Sequence, residues 1–375
     1  MRILHLGYTH TQNPWNAGGA AAAARQVYAR LSDRHQITVF CGGWRAGPSS
    51  EEMGGVEYVF GPRARSYVGS RMGYSWTARH MAAQGRFDLI VDDMSAYSPS
   101  FAWRHAGCPT VALIQLDLLR ATRKYPLIGA VARRWVLEAL GSYSNFVCVS
   151  PSLMQDTAPL SQPDRRATFI PNGVSADLLD LAGEEEPYIL FLGRLDTYAK
   201  GLDVLVSELP GVLSRHPDVR LIVAGSGPDG PALQRRVHAT PALAENVEFV
   251  GRVSGQAKTD LLRKCLCVVM PSRHEGWPLV AMEAGACGKA VVGSTAPGLS
   301  DAVVHGETGI LVDTSKPGAL PEALARVIAD RRLRHSLGEA GRERARAFTW
   351  EALAPRYEQF YESVACGAPK EGGCP

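Results

Sequence analysis

Two cations six positions apart, Arg194 and Lys200, lie in the stretch Gly193-Arg194-Leu195-Asp196-Thr197-Tyr198-Ala199-Lys200-Gly201. The stretch follows an apolar run and feeds a helical pattern. Fixed positive charges beside the open N–H groups of a helix start suit a diphosphate. A merely solvated loop has the same composition. A second stretch, Pro271-Ser272-Arg273-His274-Glu275-Gly276-Trp277-Pro278-Leu279-Val280-Ala281-Met282-Glu283-Ala284-Gly285, holds two carboxylates with seven residues between them. Glu275 falls on the loop after an apolar run. Pro278 fits the first helical turn. Glu283 falls inside the helix, between Met282 and Ala284. A carboxylate in so apolar a setting needs partners. Paired hydroxyls of a sugar or a ribose are one kind; a cap or an ion pair is another. Gly18-Gly19 ahead of an Ala-rich helix offers backbone N–H groups to an anion, or simply makes a turn.

Other arrangements fail. Gly225-Ser226-Gly227-Pro228-Asp229-Gly230 matches the dinucleotide fingerprint, but Pro228 removes an N–H from the cradle. The acidic residue at the required distance, Glu248, sits early in its strand. The motif reads better as a turn that lets backbone approach some other ligand. His274-Glu275 opens like a zinc helix but lacks the second His. Asp92-Asp93 is no Asp-x-Asp metal motif, and Asp93 is expected to cap a helix. Among eight cysteines there is no Cys-x-x-Cys pair, which points to buried free thiols. No metal site is expected.

Elements must carry these residues to one place. The strand candidates of the first half are 2–7, 36–41, 56–60, 87–91, 110–114, 145–149 and 168–170. Those of the second half are 188–193, 219–224, 247–250, 266–270, 290–293 and 309–312. Most are continuous Val/Ile/Leu runs, the mark of strands buried on both faces of a parallel sheet. Strands alternating with helices imply an α/β chain of two Rossmann-like domains, with a cleft expected at the carboxyl ends of both sheets. The expected division is 1–170, an acidic, breaker-rich linker 171–187, then 188–348. A helix 349–366 is expected to pack back on the first domain, and 367–375 to fray.

Composition excludes several classes. The chain has 375 residues, 46% of them apolar and 21% charged, enough to build large cores. A net charge of +3 is too balanced for nucleic-acid binding, where a domain pI above about 9 is usual. No apolar run approaches the ~20 residues of a membrane span. The first residues read as a strand rather than a signal peptide, so a cytoplasmic place is expected. The segment 119–140 is basic and aromatic-bearing. It reads as a solvated helix or acceptor loop, or as a peripheral contact with the inner face of an anionic membrane.

Taken in order, the motifs resemble those of a family 4 retaining glycosyltransferase of the two-Rossmann GT-B fold. The matching pieces are Gly18-Gly19; Val149-Ser150; Ile170-Pro171-Asn172-Gly173-Val174; Gly193-Arg194-Leu195 with Lys200-Gly201; Ala224-Gly225-Ser226-Gly227-Pro228; Val247-Glu248-Phe249-Val250-Gly251; Pro271-Ser272 with Glu275-Gly276; and Glu283-Ala284. The resemblance covers nearly the whole chain. It implies a nucleotide-sugar donor as co-substrate, UDP-linked on family frequency, with no metal and no other cofactor.

The resemblance also implies roles. Arg194 and Lys200 hold the diphosphate and, with Glu275, are the catalytic set. Glu275 faces the sugar and Glu283 the ribose. Gly225, Gly227, Arg252, Val253, Gly276, Trp277, Pro278 and Leu279 complete the donor side, and Gly18 and Gly19 approach the diphosphate. His10, Gln115 and Asp117 are the acceptor-side candidates, for a small-molecule or lipid-linked acceptor. Gln115 stands where many members have His, and Gln cannot act as a base. Pro278 stands in place of a common Gly, and Asp301 where Glu is common. The competing readings are a GT-B epimerase or phosphorylase, and a non-catalytic nucleotide-sugar-binding protein.

Overall fold

The computed structural model describes residues 1–15, 18–181 and 183–367. The chain divides into two compact units. Unit 1 is Met1–Asn172 with Trp350–Pro375, and unit 2 is Gly173–Thr349. The expected tail from 368 onward, Ala182 of the acidic stretch, and Asn16 and Ala17 before the Gly pair lie outside the described residues.

Unit 1 is built on eight strands: β1 (Arg2–Leu6), β2 (Gln36–Cys41), β3 (Ser50–Met53), β4 (Val56–Phe60), β5 (Leu89–Asp93), β6 (Thr110–Ile114), β7 (Asn145–Cys148) and β8 (Arg166–Phe169). Their order is β3-β4-β2-β1-β5-β6-β7-β8. All pair in parallel except β3, which runs antiparallel to β4. The sequence pattern does not anticipate β3, because Ser50-Glu51-Glu52-Met53 is a polar edge strand with no buried face. Asp93 is the last residue of β5 and caps no helix. The next helix, Ala102–His105, is capped by Phe101.

Unit 2 carries β9 (Tyr188–Leu192), β10 (Arg220–Ala224), β11 (Val247–Gly251), β12 (Cys267–Met270), β13 (Ala290–Ser294) and β14 (Gly309–Val312), all parallel, in the order β11-β10-β9-β12-β13-β14. Strand β12 is buried along its whole length, as continuous apolar runs require. The helix Leu202–Leu213 buries Leu202, Leu205, Val206, Leu209, Val212 and Leu213. Each such side chain contributes about 1.5–3 kcal/mol, against about 0–1 for a surface ion pair. Apolar burial therefore fixes the scaffold, and polar contacts only tune the loops.

The expected linker is not a free segment. Val174 N–H bonds Phe348 O at 2.9 Å, and Glu185 pairs with Arg334 at 2.6 Å and Lys289 at 3.5 Å. The helix Trp350–Ala365 belongs to unit 1. It lies on the helix Gly19–Leu31, with Arg34 2.8 Å from Glu358 and Tyr357 OH donating to Ile170 O at 3.3 Å.

Each sheet has a place where the strand order reverses: β1/β5 in unit 1 and β9/β12 in unit 2. Open α/β sheets bind ligands outside the carboxyl ends of strands at such points.

Candidate functional site

At the reversal point of unit 2, the loops after β9 and β12 meet. Asp196 is buried and caps the short helix Thr197–Lys200, accepting from Ala199 N–H at 3.2 Å. Gly201 ends that helix in the left-handed region, φ 63°. A side chain there would put Cβ 2.0 Å from Pro271 O, so only glycine lets the two loops touch. Ala199 O accepts from the N–H groups of Arg273 (2.8 Å) and His274 (3.2 Å). Arg273 also forms a fork with Asp203 at 2.8 and 2.7 Å. The two loops are thus one fixed unit.

Within it, Lys200 Nζ lies 2.6 Å from Glu275 Oε1, and Ser272 Oγ donates to the same oxygen at 2.7 Å. Glu275 is nearly buried and Lys200 partly so, a setting in which charge-assisted bonds are strong. Arg194 is exposed, with Nη2 3.0 Å from Asp196 Oδ2. The structure therefore joins Lys200 to Glu275 and gives Arg194 a separate carboxylate.

Glu283 sits in the helix Leu279–Ala286, its side chain 14% exposed. Lys258, from the helix Gly255–Lys264, reaches Oε1 at 2.5 Å. Oε2 is buried and has no hydrogen-bond partner among the described residues. Such an oxygen costs about 1–3 kcal/mol until a donor meets it. A ligand hydroxyl is a suitable donor. Sequence reasoning missed Lys258 and the part played by Ser272. Ser272 stood beside Pro271 in the quoted motif, whereas nothing in the spacing of Lys258 marks it.

The glycines Gly225 and Gly227 serve the chain itself. Added Cβ atoms would stand 1.8 Å from Gly193 O and 2.3 Å from Leu195 O, so the close backbone approach expected there is to the β9 loop. Arg252 and Val253 follow β11, on the edge of the sheet. Gly276 is buried, and Trp277 is 5% exposed with its ring 5.4 Å from that of Phe348, so the indole packs inward. Pro278 occupies the N-cap, one place before the first helical turn, and Leu279 opens the helix.

Unit 1 disperses its candidates. Gly18 is the N-cap of Gly19–Leu31 with no side-chain cap, which leaves N–H groups open at that end. His10 is buried among Trp44, Tyr58 and Phe60. Its Nε2 lies 3.1 Å from Glu51 Oε1, and Nδ1 accepts from Gln12 N–H at 3.3 Å. Burial holds its pKa below the usual histidine value. Gln115 Oε1 accepts from Asn172 Nδ2 at 2.9 Å, and Asp117 caps the helix Leu118–Ala121 through Arg120 N–H at 2.8 Å.

The reversal point of unit 1 holds Asp92 and Asp93, the pair set aside as a metal motif, at the end of β5. Asp92 accepts from Ser100 Oγ (2.7 Å) and Tyr143 OH (2.6 Å), and burial raises its pKa to about 6. Burial and then the charge of Asp92 push Asp93 to about 8. His35, Glu358 and Glu362 also come within 4.8 Å of one another. There Glu358 already meets His35 and Arg34, both at 2.8 Å, which accounts for it as an ion-paired cluster.

Comparison with known proteins adds a family. The model "Glycosyltransferase Family 4" matches residues 17–178, and "Glycosyl transferases group 1" matches 180–344. The phosphatidyl-myo-inositol mannosyltransferase of Mycobacterium leprae is 32% identical over 250 residues, 65% of this chain and 60% of that protein. A D-inositol 3-phosphate glycosyltransferase of Corynebacterium diphtheriae is 37% identical over 181 residues, 47% of this chain and 42% of that protein. The matches thus span 60% or less of these relatives' length. Among solved structures, sucrose-phosphate synthase from Thermosynechococcus elongatus superposes with a TM-score of 0.82 at 22% identity, covering 98% of this chain and 100% of that one. Anabaena Alr3699/HepE, solved with UDP-glucose, gives 0.73 at 20% identity, covering 97% and 100%. These likenesses show a shared architecture of two parallel-sheet α/β domains, the GT-B fold.

Proposed function

Because the chain belongs to the family 4 glycosyltransferases, we propose that it moves a sugar from a nucleotide-sugar donor to an acceptor with retention of anomeric configuration. The observation that carries the reading is the Lys200–Glu275–Ser272 cluster at the reversal point of unit 2. A donor diphosphate draws Lys200, and Arg194 supplies a second cation from an exposed position. Glu275 accepts from sugar hydroxyls, and the unpartnered Oε2 of Glu283 accepts from a ribose hydroxyl.

The chemistry asks for no protein nucleophile. The acceptor hydroxyl attacks the anomeric carbon on the face from which the diphosphate departs. The new C–O bond forms as the bond from that carbon to the phosphate oxygen breaks. The hydroxyl proton passes to a phosphate oxygen. Lys200 and Arg194 stabilise the negative charge that develops on the leaving group. The UDP-glucose bound by Anabaena HepE favours uridine as the base. The acceptor is a small molecule or a lipid-linked one, and unit 1 presents it.

A panel of UDP-, GDP- and ADP-sugars, assayed for nucleotide release in excess EDTA, tests the reading. Release from one donor class, unaffected by EDTA, is expected. Binding without release would make the chain a nucleotide-sugar-binding protein. Loss in EDTA with rescue by Mn²⁺ would overturn the metal-free mechanism.

A further inference from the structure

The exposed large apolar side chains of the described residues are unevenly placed. All but Tyr198 lie in unit 1, in two stretches, 67–76 and 116–131. In the helix Tyr67–Ala82, Val68 (64% exposed), Met72 (69%) and Trp76 (61%) are four residues apart and form one line along the helix. The side that packs on the core is a different one, carrying Ser70, Tyr74 and Ala78. In the helix Pro126–Ser142, Leu127 (95%), Ile128 (58%) and Val131 (50%) face outward, while Ala132, Val136 and Ala139 are buried. Neither outward stripe contributes to a core.

Charge accompanies both stripes. Residues 61–87 contain five arginines and no Asp or Glu. Residues 118–137 contain four arginines and one lysine, again with no Asp or Glu. The whole chain is nearly balanced, with 40 basic and 37 acidic residues, so the segregation is local.

The two stretches are stitched into one surface by the loop after β5. Arg71 Nη1 donates to Ser98 Oγ at 2.6 Å. The neighbouring Tyr97 donates to Thr122 O at 2.8 Å, and its ring lies 5.5 Å from that of Tyr125. This surface flanks the carboxyl end of the unit 1 sheet, where Asp93 ends β5 and Gln115 follows β6.

We propose that the outward stripes of Tyr67–Ala82 and Pro126–Ser142 form a docking surface for an anionic lipid bilayer. Large apolar side chains enter the region between headgroups and acyl chains, and the surrounding arginines meet lipid phosphates. A second copy of the chain fits poorly, because a self-contact here sets cations against cations. The surface carries the acceptor side of the proposed reaction to the membrane, where lipid-linked acceptors reside. Binding is read without any donor, so its failure and that of the transfer reading are separable.

Purified protein is sedimented with vesicles of phosphatidylcholine alone or mixed with phosphatidylglycerol, at low and high salt. Binding is expected to the mixed vesicles, weakened by salt. Arg123→Glu with Lys124→Glu is expected to lower the bound-to-free ratio about tenfold or more. Leu127→Ser with Met72→Ser is expected to reduce binding that persists at high salt. Thermal unfolding of both variants should match the parent, since Met72, Arg123 and Leu127 are exposed and Lys124 is only half-buried. Arg235→Glu with Arg236→Glu, in unit 2, should leave sedimentation unchanged. Absence of binding to mixed vesicles, or equal binding by all variants, overturns the proposal. So does a dimer in solution that the unit 1 substitutions dissolve while vesicle binding is absent.

Discussion

The two reversal points share a plan and differ in chemistry. In unit 2, the loops after β9 and β12 bring opposite charges together: Lys200 with Glu275 and Arg273 with Asp203. Charges that answer one another in a fixed pair can be redistributed onto a ligand. In unit 1, β5 ends in two adjacent carboxyls, Asp92 and Asp93, set among buried tyrosines. Among the described residues no ion pair answers them, and burial raises their pKa values to about 6 and about 8. One Rossmann-like scaffold thus carries paired opposite charges, the other a desolvated carboxyl pair beside an apolar, basic surface. Topology fixes where a site lies; the residues at strand ends fix what it can do.

The sharpest way to break the contrast is Lys200→Ala. If unit 2 works by answering the charge of a leaving diphosphate, kcat/KM should fall by about 10²-fold or more. Nucleotide release with the preferred donor is the measurement, and near-normal turnover would remove Lys200 from the mechanism.

A smaller effect separates the two carboxylates of unit 2. Glu283→Gln should weaken binding of nucleoside diphosphate by about tenfold, since a hydrogen bond to a charged acceptor contributes about 1.5–3 kcal/mol. Glu275→Gln should leave that binding nearly intact and lower transfer instead, because its partner is on the sugar. Calorimetric titration with UDP, GDP and ADP, beside rates with intact donor, distinguishes them. Equal losses of nucleotide affinity would merge the two roles.

The smallest effect concerns unit 1 and depends on pH. Asp93 has a folded pKa above its unfolded value. The folded state therefore meets no penalty below about pH 4 and loses stability as pH rises towards 8. Asp93→Asn does not titrate. It should match the parent near pH 4 and melt at a progressively higher temperature than the parent as pH rises towards 8. A melting series across that range decides it. A gain constant with pH would mean that the carboxyl is not strained by desolvation.

The sequence by itself determined most of the frame. Continuous apolar runs placed thirteen of the strands within a residue or two, because burial on both faces leaves a pattern that needs no partner to be read. The β3 edge escaped, since a polar strand is defined only by its pairing with β4. Arg194, Lys200, Glu275 and Glu283 were legible as loop and helix positions, because local spacing fixes the element that carries a side chain. Which group each one meets was decided by tertiary structure. Lys200 chose Glu275 over a free position, Lys258 came to Glu283 from another helix, and Trp277 turned inward onto Phe348. Asp93 became a desolvated strand end rather than a cap. Two arginine-rich stretches some fifty residues apart became one surface through Ser98 and Tyr97. The physical reason is the same in each case. Periodicity reports which face of an element is buried, whereas partners across elements are chosen by strand order and by loops that close over many residues.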